Sequence, residues 1–332
     1  MARYFVTGGT GFLGGHLVRE LRAGGHEVVA LCRDDEPELV DLGVEVARGD
    51  VLDGATVERG AAGTDGAFHC AGKVSRRPED AEEMYRVHVD GTKTVLAACK
   101  RADVRRVVVA STSGTVAVSE DASHVATEDD PTPALLLSRW PYYRSKLYAE
   151  EAALAANGEG LEVVIVNPTL LLGPGDDRRS STEDVRLFLD RRIPAVPSGG
   201  VSFVDVRDAA HGMVLAMTAG TPGRRYLLGA CNLTLREFFA RLSLVSGVRQ
   251  PWMSLPRIPG FARRGAALLT EVVGREARRG SLFDIDPVSF EMAQFFWYLD
   301  AGRAERELGW APRDAMATLA DTVNDVRGGA LA

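Results

Sequence analysis

Short runs of apolar, often β-branched residues recur through the first two thirds of the chain, and each predicts a buried β-strand. Longer segments separate the runs, and their apolar positions, such as Met84, Val87 and Val95, recur at helical spacing. Strands that are apolar on both faces are typical of a parallel sheet covered by helices on both sides. The pattern therefore predicts an α/β fold with a Rossmann-type, doubly wound parallel sheet. The runs are Tyr4–Val6, Val28–Leu31, Val44–Ala47, Ala67–His69, Val107–Ala110 and Val163–Val166.

The regular alternation of strands and helices ends near residue 170. Glycine, proline and charged residues cluster at 173–181 (GPGDDRRSS), and short strands are predicted at 201–204 and 225–228. Thr234 and Glu237 have the spacing of a capping box, which predicts a helix start. We expect a sheet domain over residues 1–170, to which some later segments return, and a smaller, mixed region over residues 171–332.

The first predicted strand runs into a glycine-rich turn, VTGGTGFLGGHLV, that opens a helix. Gly8, Gly11 and Gly14 permit a tight turn, close approach of the backbone to a diphosphate, and packing of the helix near the sheet. The helix N-terminus also favours an anion. The turn therefore predicts a dinucleotide cofactor bound by residues 1–170, which leaves residues 171–332 mainly as a substrate-binding region. The predicted contacts at this turn are Gly8, Thr10, Gly11, Phe12, Leu13 and Gly14.

The end of the second predicted strand, EVVALCRDD, bears on the choice between NADP and NAD. NAD enzymes usually place a carboxylate there for the ribose hydroxyls, whereas this chain has Cys32 followed by Arg33. The planar guanidinium of Arg33 suits the 2′-phosphate of NADP. Alternatively, Arg33 is an ordinary loop residue and Asp34 supplies the carboxylate for NAD. We favour NADP.

Later strand ends supply further predicted cofactor contacts. Asp50, in GDVLD after the third strand, could accept a hydrogen bond from the adenine amino group. HCAGK ends the fourth strand with small residues that would let the cofactor lie against the backbone. The predicted contacts at these ends are Asp50, Val51, Ala71, Gly72, Lys73 and Pro168.

Composition narrows the class of protein. The chain has 332 residues, enough for one large domain or two smaller ones, and a net charge of −7 with acids and bases mixed throughout. This balance argues against a nucleic-acid surface or an anchor to anionic membranes. We see no charged leader and no apolar stretch near the ~20 residues of a membrane span, so we expect a soluble, cytoplasmic protein. The four cysteines are far apart without metal-ligand spacing and are interpreted as free thiols, with no metal site: Cys32, Cys70, Cys99 and Cys231.

Several motifs, which together cover nearly the whole chain, resemble those of the extended short-chain dehydrogenases/reductases. They are TGGTGFLG at 7–14, ASTSGTV at 110–116, YYRSK at 142–146, VNPTLLLGPG at 166–175, SFVDVRDAA at 202–210 and AERELGWAPR at 304–313. Within this superfamily the chain is most similar to dihydroflavonol 4-reductase-like and 3β-hydroxysteroid dehydrogenase-like proteins. The resemblance implies an NAD(P)-dependent enzyme that interconverts an alcohol and a carbonyl group by hydride transfer.

The Tyr-x-x-x-Lys motif of that family fits Tyr142 and Lys146, which are predicted to share one helix face. A phenol titrates near ~10, and a nearby ammonium group would favour the phenolate. The resemblance implies that Lys146 holds the nicotinamide ribose and that Tyr142 exchanges a proton with the substrate oxygen. Both are therefore predicted to contact the cofactor. Tyr143, turned by ~100°, is expected in a core stripe with Leu147 and Leu154.

The resemblance also implies a third catalytic residue, Thr112, whose hydroxyl would hydrogen-bond the substrate oxygen between the neighbours Ser111 and Ser113. The family often has serine at this position. A second departure is His88, in YRVHVDGT, where the family commonly has asparagine that supports the active-site helix and a water-mediated proton path. His88 either replaces that asparagine as a donor or acceptor or is a packed core residue, and we favour the core residue.

The fold alone does not identify the substrate class, because this scaffold also carries nucleotide-sugar epimerases and dehydratases. One missing arginine and two apolar segments bear on the choice. Sugar-nucleotide members usually have an arginine just before the aromatic residue of R-x-F-x-x-V-x-D, and this chain has Gly200, Val201 and Ser202 before Phe203. The apolar segments 133–140 and 295–299 either wall a pocket or belong to the core.

Cations for a nucleotide sugar are present in the second half at Arg178, Arg179 and Arg207. We interpret the first two as solvated residues whose charge is offset by Asp176 and Asp177. We therefore expect NADP-dependent reduction of a largely apolar ketone or aldehyde, or the reverse oxidation. The alternatives are a nucleotide-sugar epimerase or dehydratase with tightly held NAD(P), and a cofactor-binding regulator without catalysis. A homodimer is compatible with the sequence.

Overall fold

The computed structural model describes residues 1–158, 160–193, 195–255 and 287–328. Its strands are β1 (Arg3–Thr7), β2 (Glu27–Cys32), β3 (Glu45–Arg48), β4 (Gly66–His69), β5 (Arg106–Ala110), β6 (Glu162–Pro168), β7 (Leu170–Leu172), β8 (Ala195–Val196), β9 (Gly200–Asp205), β10 (Arg225–Leu228), β11 (Cys231–Thr234) and β12 (Met253–Ser254). Its α-helices are α1 (Phe12–Ala23), α2 (Pro37–Asp41), α3 (Gly54–Ala61), α4 (Ala81–Tyr85), α5 (Gly91–Arg101), α6 (Ala134–Leu137), α7 (Pro141–Ala155), α8 (Glu183–Leu189), α9 (Val206–Ala219), α10 (Leu235–Ser246), α11 (Pro287–Met292), α12 (Gly302–Leu308) and α13 (Ala315–Val326).

Seven strands form one parallel sheet in the order β3-β2-β1-β4-β5-β6-β10. The six apolar runs of the sequence correspond to β1–β6, which confirms the predicted Rossmann-type sheet. The strand order reverses between β1 and β4, the place where such sheets bind ligands beyond their carboxyl ends. Because β10 pairs with β6, a later segment does return to the main sheet, while the boundary near residue 170 stays a prediction.

Successive strand residues point to opposite faces of the main sheet. Val6 packs in a cluster with α1 and α9, whereas its neighbour Phe5 packs on the other face with α3 and α5. Both side chains are fully buried, and burial of such a side chain contributes about 1.5–3 kcal/mol. Helices on both faces explain why the strands are apolar throughout.

A smaller, mixed sheet of β7, β9 and β11 lies in the second half, where β9 is parallel to β7 and antiparallel to β11. Its apolar side chains pack with α8, α10 and α13. Helix α10 begins with the predicted capping box: Thr234 Oγ1 accepts from Glu237 N at 3.2 Å, and the Glu237 carboxylate accepts from Thr234 N at 2.9 Å. The second half therefore has a core of its own.

Within the described ranges, no helix is both long and apolar enough to cross a bilayer. The same ranges contain no group of three or more histidine, cysteine, aspartate or glutamate side chains placed to hold a metal ion. The four cysteines are free thiols.

Candidate active site

Apart from Tyr142 and Lys146 on α7, the segments predicted to contact the cofactor lie at the carboxyl edge of the main sheet, because each one follows or ends a strand. The glycine turn follows β1, and the segments that contain Arg33, Asp50 and Ala71 follow β2, β3 and β4. Thr112 follows β5 and Pro168 ends β6. The carboxyl edge therefore gathers the predicted residues from six strands.

The glycine turn has the geometry of a phosphate-binding turn. Gly8 has a φ of 73°, and a Cβ atom built there would lie 2.6 Å from the backbone N of Ala71. A Cβ atom at Gly14 would lie 2.1 Å from the carbonyl O of Gly8. Gly11 is the N-cap of α1, and no side chain of the described residues caps this helix. The first N–H groups of α1 are thus available to an anion.

The adenosine end of the predicted cofactor site lies beyond β2 and β3. Arg33 is exposed, and in the described parts of the chain it forms no ion pair, whereas Arg48 lies 3.5 Å from Asp35. Asp50 Oδ1 accepts a hydrogen bond from Leu52 N at 2.9 Å, which leaves its second carboxylate oxygen for another donor. The geometry is compatible with a 2′-phosphate at Arg33 and an adenine at Asp50.

The turn after β4 is fixed by hydrogen bonds to its backbone. Ala71 N donates to Thr7 Oγ1 at 3.3 Å, and Lys73 N donates to His88 Nε2 at 3.0 Å. The ammonium group of Lys73 forms ion pairs with Asp80, at 3.1 Å, and with Glu83. Both the backbone N–H and the ammonium group of Lys73 are therefore already partnered within the protein.

His88 connects this turn to the active-site helix α7. Its ring is 2% exposed and lies in a π-helical turn, Arg86–Asp90. Nδ1 lies 2.8 Å from Ser145 Oγ, which itself donates to the carbonyl O of Tyr142 at 2.8 Å. Burial, with the charge of Lys146, lowers the pKa of His88 to about 2, so the ring is neutral. Since Nε2 accepts from Lys73, Nδ1 carries the proton and donates to Ser145. His88 is therefore buried in the core, as favoured from the sequence, but it also acts as both a donor and an acceptor.

Tyr142 and Lys146 lie on α7, which begins at Pro141. Lys146 Nζ donates to the carbonyl O of Ala110 at 2.7 Å, which leaves two N–H groups for other acceptors. Burial lowers the pKa of Lys146 to about 8, an effect that the nearby Glu150 carboxylate partly offsets, so the group is mainly an ammonium at neutral pH.

The phenol of Tyr142 does not behave as the sequence suggested. Burial raises its pKa, and the neighbouring Tyr143 raises it further. The expected lowering of this pKa by Lys146 is not observed, because burial disfavours the charged phenolate and sets the direction of the shift. At neutral pH Tyr142 therefore carries its proton, which is the form that can protonate a substrate oxygen.

Of the three consecutive residues that carry a hydroxyl group, only Thr112 is partly exposed, since Ser111 and Ser113 are buried. Thr112 Oγ1 accepts from Gly114 N at 3.3 Å, so its own proton remains free to be donated. Ser111 Oγ instead donates to the Glu150 carboxylate at 2.6 Å. The structure thus leaves Thr112 as the hydroxyl suited to a substrate.

Glu150 is a structural anchor that we did not predict. Its side chain is buried, accepts hydrogen bonds from Ser111, Thr115 and Asn167, and lies 3.0 Å from the guanidinium of Arg225. It ties α7 to the ends of β5 and β6. The sequence signal was a glutamate four residues after Lys146 on the same helix face.

Tyr143 forms an aromatic wall with Trp297 against Gly114, two residues after Thr112. The two rings are stacked with centroids 4.9 Å apart, and a Cβ atom at Gly114 would lie 2.1 Å from Tyr143 Cε1. Leu147 packs in this cluster as expected, but Leu154 packs with the main sheet instead.

The two apolar segments divide between core and surface. Leu137, Trp140 and Phe295 are core residues, whereas Leu135 is 92% exposed. Trp297 is partly exposed. Tyr143, just beyond the first segment, is also partly exposed, so the rings of Tyr143 and Trp297 are available to line a pocket.

Residues 4–229 match the model of the family described as NAD dependent epimerase/dehydratase. The chain belongs to this family. A relative from Synechocystis sp. that carries the provisional name dihydroflavonol 4-reductase is 35% identical over 328 residues, covering 97% of this chain and 93% of the relative. The 4-hydroxy-2-methyl-3-oxo-4-farnesyl-3,4-dihydroquinoline-1-oxide ketoreductase of Stigmatella aurantiaca is 33% identical, covering 94% and 92% of the two chains. Among solved structures, a double mutant of DesIV, a dTDP-glucose 4,6-dehydratase from Streptomyces venezuelae with NAD and DAU bound, is 26% identical with a TM-score of 0.73, covering 98% and 97%.

These matches confirm the prediction of an extended short-chain dehydrogenase/reductase, an NAD(P)-dependent enzyme that acts on alcohols or carbonyl groups. The roles of Thr112, Tyr142 and Lys146, and the individual cofactor contacts, stay predictions. Their common place at the carboxyl edge is what the structure adds.

Proposed function

We propose that this family member is an NADP(H)-dependent oxidoreductase that reduces a ketone or aldehyde of a largely apolar small molecule, or oxidises the alcohol. The observation that carries the proposal is the contact of Lys146 Nζ with the carbonyl O of Ala110, which ties the helix of Tyr142 and Lys146 to the end of β5, two residues before Thr112. A proton donor, a cation and a free hydroxyl at that place suit carbonyl chemistry next to a nicotinamide.

Each side chain has a distinct task in this proposal. The bound cofactor would supply the hydride. Lys146 orients the ribose with the two N–H groups that Ala110 leaves free. Thr112 donates a hydrogen bond to the carbonyl oxygen, and Tyr142 delivers its proton to the alkoxide as the C–H bond forms. The raised pKa of Tyr142 keeps that proton in place until charge develops on the oxygen.

Arg33 supports NADP over NAD. Its guanidinium is exposed at the end of β2 and, among the described residues, has no carboxylate partner. A free, planar cation at this position can bind the 2′-phosphate in a bidentate manner. Asp34 remains the competing candidate, as a ribose ligand for NAD.

The aromatic wall supports an apolar substrate. Tyr143 and Trp297 present partly exposed rings against Gly114, two residues after Thr112, and such rings favour flat apolar groups. The names of the relatives point the same way, because one is a ketoreductase for a farnesyl-bearing quinoline and another is named for a dihydroflavonol.

The alternative is a nucleotide-sugar epimerase or dehydratase, which the family description and the similarity to a dTDP-glucose 4,6-dehydratase favour. The missing arginine before Phe203 counts against it. The test is a panel of apolar ketones beside UDP-, GDP- and dTDP-sugars, with NADPH absorbance and product analysis measured together. We expect NADPH loss equal to alcohol formed, and conversion of a nucleotide sugar at constant NADPH would establish the alternative. No turnover with any carbonyl or sugar substrate would favour a regulator without catalysis.

A further inference from the structure

The glycine turn of the proposed cofactor site, on which this inference rests, has no lysine or arginine of its own. A dinucleotide diphosphate brings two negative charges to the start of α1. Residues 8–14 contain no lysine or arginine, so the turn itself offers only backbone N–H groups and a helix-end charge of about half a unit. A cation supplied from elsewhere in the chain would balance the diphosphate.

A guanidinium from the second half of the chain lies at this turn. Arg178 Nη2 is 3.5 Å from Thr10 Oγ1, a contact between residues 168 positions apart. Arg178 is exposed, and across the described ranges no carboxylate lies within ion-pair distance of it. Its charge is therefore available at the place where the diphosphate would bind.

The loop that carries Arg178 is attached to α1 itself. His16 Nε2, on the second turn of the helix, lies 2.9 Å from the carbonyl O of Pro174. Burial lowers the pKa of His16, so the ring is neutral and Nε2 donates the hydrogen bond. This contact holds the start of the loop against the helix whose N-terminus faces the diphosphate.

Asp176 shapes the rest of the loop and does not neutralise Arg178. Its buried carboxylate accepts from the backbone N–H groups of Ser180, Ser181 and Thr182 at 3.0, 2.8 and 2.9 Å. The carboxylate is thus directed into its own loop. Arg178, Arg179 and Asp177 are exposed, as the sequence suggested, but the expectation that Asp176 offsets the arginine charge is not supported by the geometry.

We propose that Arg178 is a ligand of the cofactor diphosphate. Its planar fork would bind two phosphate oxygens in place of the Thr10 hydroxyl, together with the N–H groups at the start of α1. The contact would secure the cofactor from the substrate-binding half of the chain. Because both NADH and NADPH contain the diphosphate, Arg178 would strengthen the binding of both cofactors equally. Arg33, in contrast, would strengthen only the binding of NADPH.

The test compares Arg178→Ala with Arg179→Ala, which removes the same charge from the neighbouring exposed position. Calorimetry measures the Kd of NADPH, NADH, ADP-ribose and 2′-AMP for the wild type and each variant. For Arg178→Ala we expect a loss of about 10-fold for the three ligands that contain a diphosphate, because one charge-assisted contact is removed. Binding of 2′-AMP should not change. Arg179→Ala should leave all four values close to wild type, and Arg178→Lys should lie between wild type and Arg178→Ala.

Equal losses of affinity in the two alanine variants would overturn this inference and leave the proposed function standing. The same holds if Arg178→Ala loses no affinity while the wild type binds ADP-ribose. A loss confined to NADPH and 2′-AMP would also overturn it, since Arg178 would then bind the 2′-phosphate. A wild type that binds neither dinucleotide nor ADP-ribose would overturn this inference together with the proposed function.

Discussion

Replacement of Tyr142 by phenylalanine removes one hydroxyl group from the proposed proton donor. Since burial holds the phenol pKa above its ordinary value, fewer than about one molecule in a thousand is ionised at neutral pH. Nearly every enzyme molecule therefore holds the protonated phenol, and the whole contribution of this acid to catalysis is lost in the variant. General acid catalysis contributes about 10²–10⁴-fold, which corresponds to about 3–5 kcal/mol in the activation barrier. We expect kcat for carbonyl reduction to fall by that factor.

The cofactor Kd should change little in Tyr142→Phe, because Lys146 is oriented by the carbonyl O of Ala110 and not by the phenol. Tyr143→Phe is the matched control. It keeps the ring that is stacked on Trp297 at 4.9 Å and removes an equivalent hydroxyl, so its kcat should stay close to wild type.

The assay follows NADPH absorbance with one apolar ketone at saturating concentration, with cofactor Kd measured separately by fluorescence. An inactive Tyr143→Phe beside an active Tyr142→Phe would refute the assignment of the proton donor. A Tyr142→Phe variant that loses activity only through a raised cofactor Kd would refute the chemical role and leave a binding role.

Four further outcomes are expected. Arg33→Ala should raise the Kd of NADPH much more than that of NADH, and equal losses would transfer the ribose role to Asp34. Gly14→Ala should weaken cofactor binding and lower Tm, because the new Cβ would lie 2.1 Å from a backbone oxygen; unchanged titrations and melting curves would contradict this. Cofactor affinity should fall as pH rises through about 8, where Lys146 loses its proton, and a Kd independent of pH up to about 9 would disprove the role of the ammonium group. His88→Ala should lower kcat more than it changes cofactor Kd, and His88→Asn should recover part of the loss. A His88→Ala variant with wild-type kcat would show that the hydrogen bonds of His88 are dispensable.

Local patterns explain what the sequence could predict. The glycine turn, the start of α7 and the capping box of α10 each depend on residues within one or two turns of chain. The choice of Tyr142 over Tyr143 depends on helix periodicity together with the family motif, and the structure places Tyr143 in the aromatic wall. For such features, backbone geometry follows from a few neighbouring residues.

Long-range contacts explain what the sequence could not predict. Arg178 meets Thr10 across 168 positions, and His88 meets Ser145 across 57, and no local period encodes either pair. The pKa of Tyr142 depends on how much apolar material surrounds it, which only the folded chain determines. Asp176 looked like a neutralising neighbour because sequence proximity does not show where its carboxylate points.

Transfer of a deuteride from [4-²H]NADPH to an apolar ketone tests net carbonyl reduction most directly, with product and cofactor examined by mass spectrometry. Net reduction, with Tyr142 as the proton donor, predicts one deuterium on the carbinol carbon for each NADP⁺ formed. The label must be on the face of the nicotinamide from which the enzyme transfers hydride. A wild-type enzyme that leaves the ketone unlabelled, and interconverts a nucleotide sugar while the total NADPH stays constant, would contradict it.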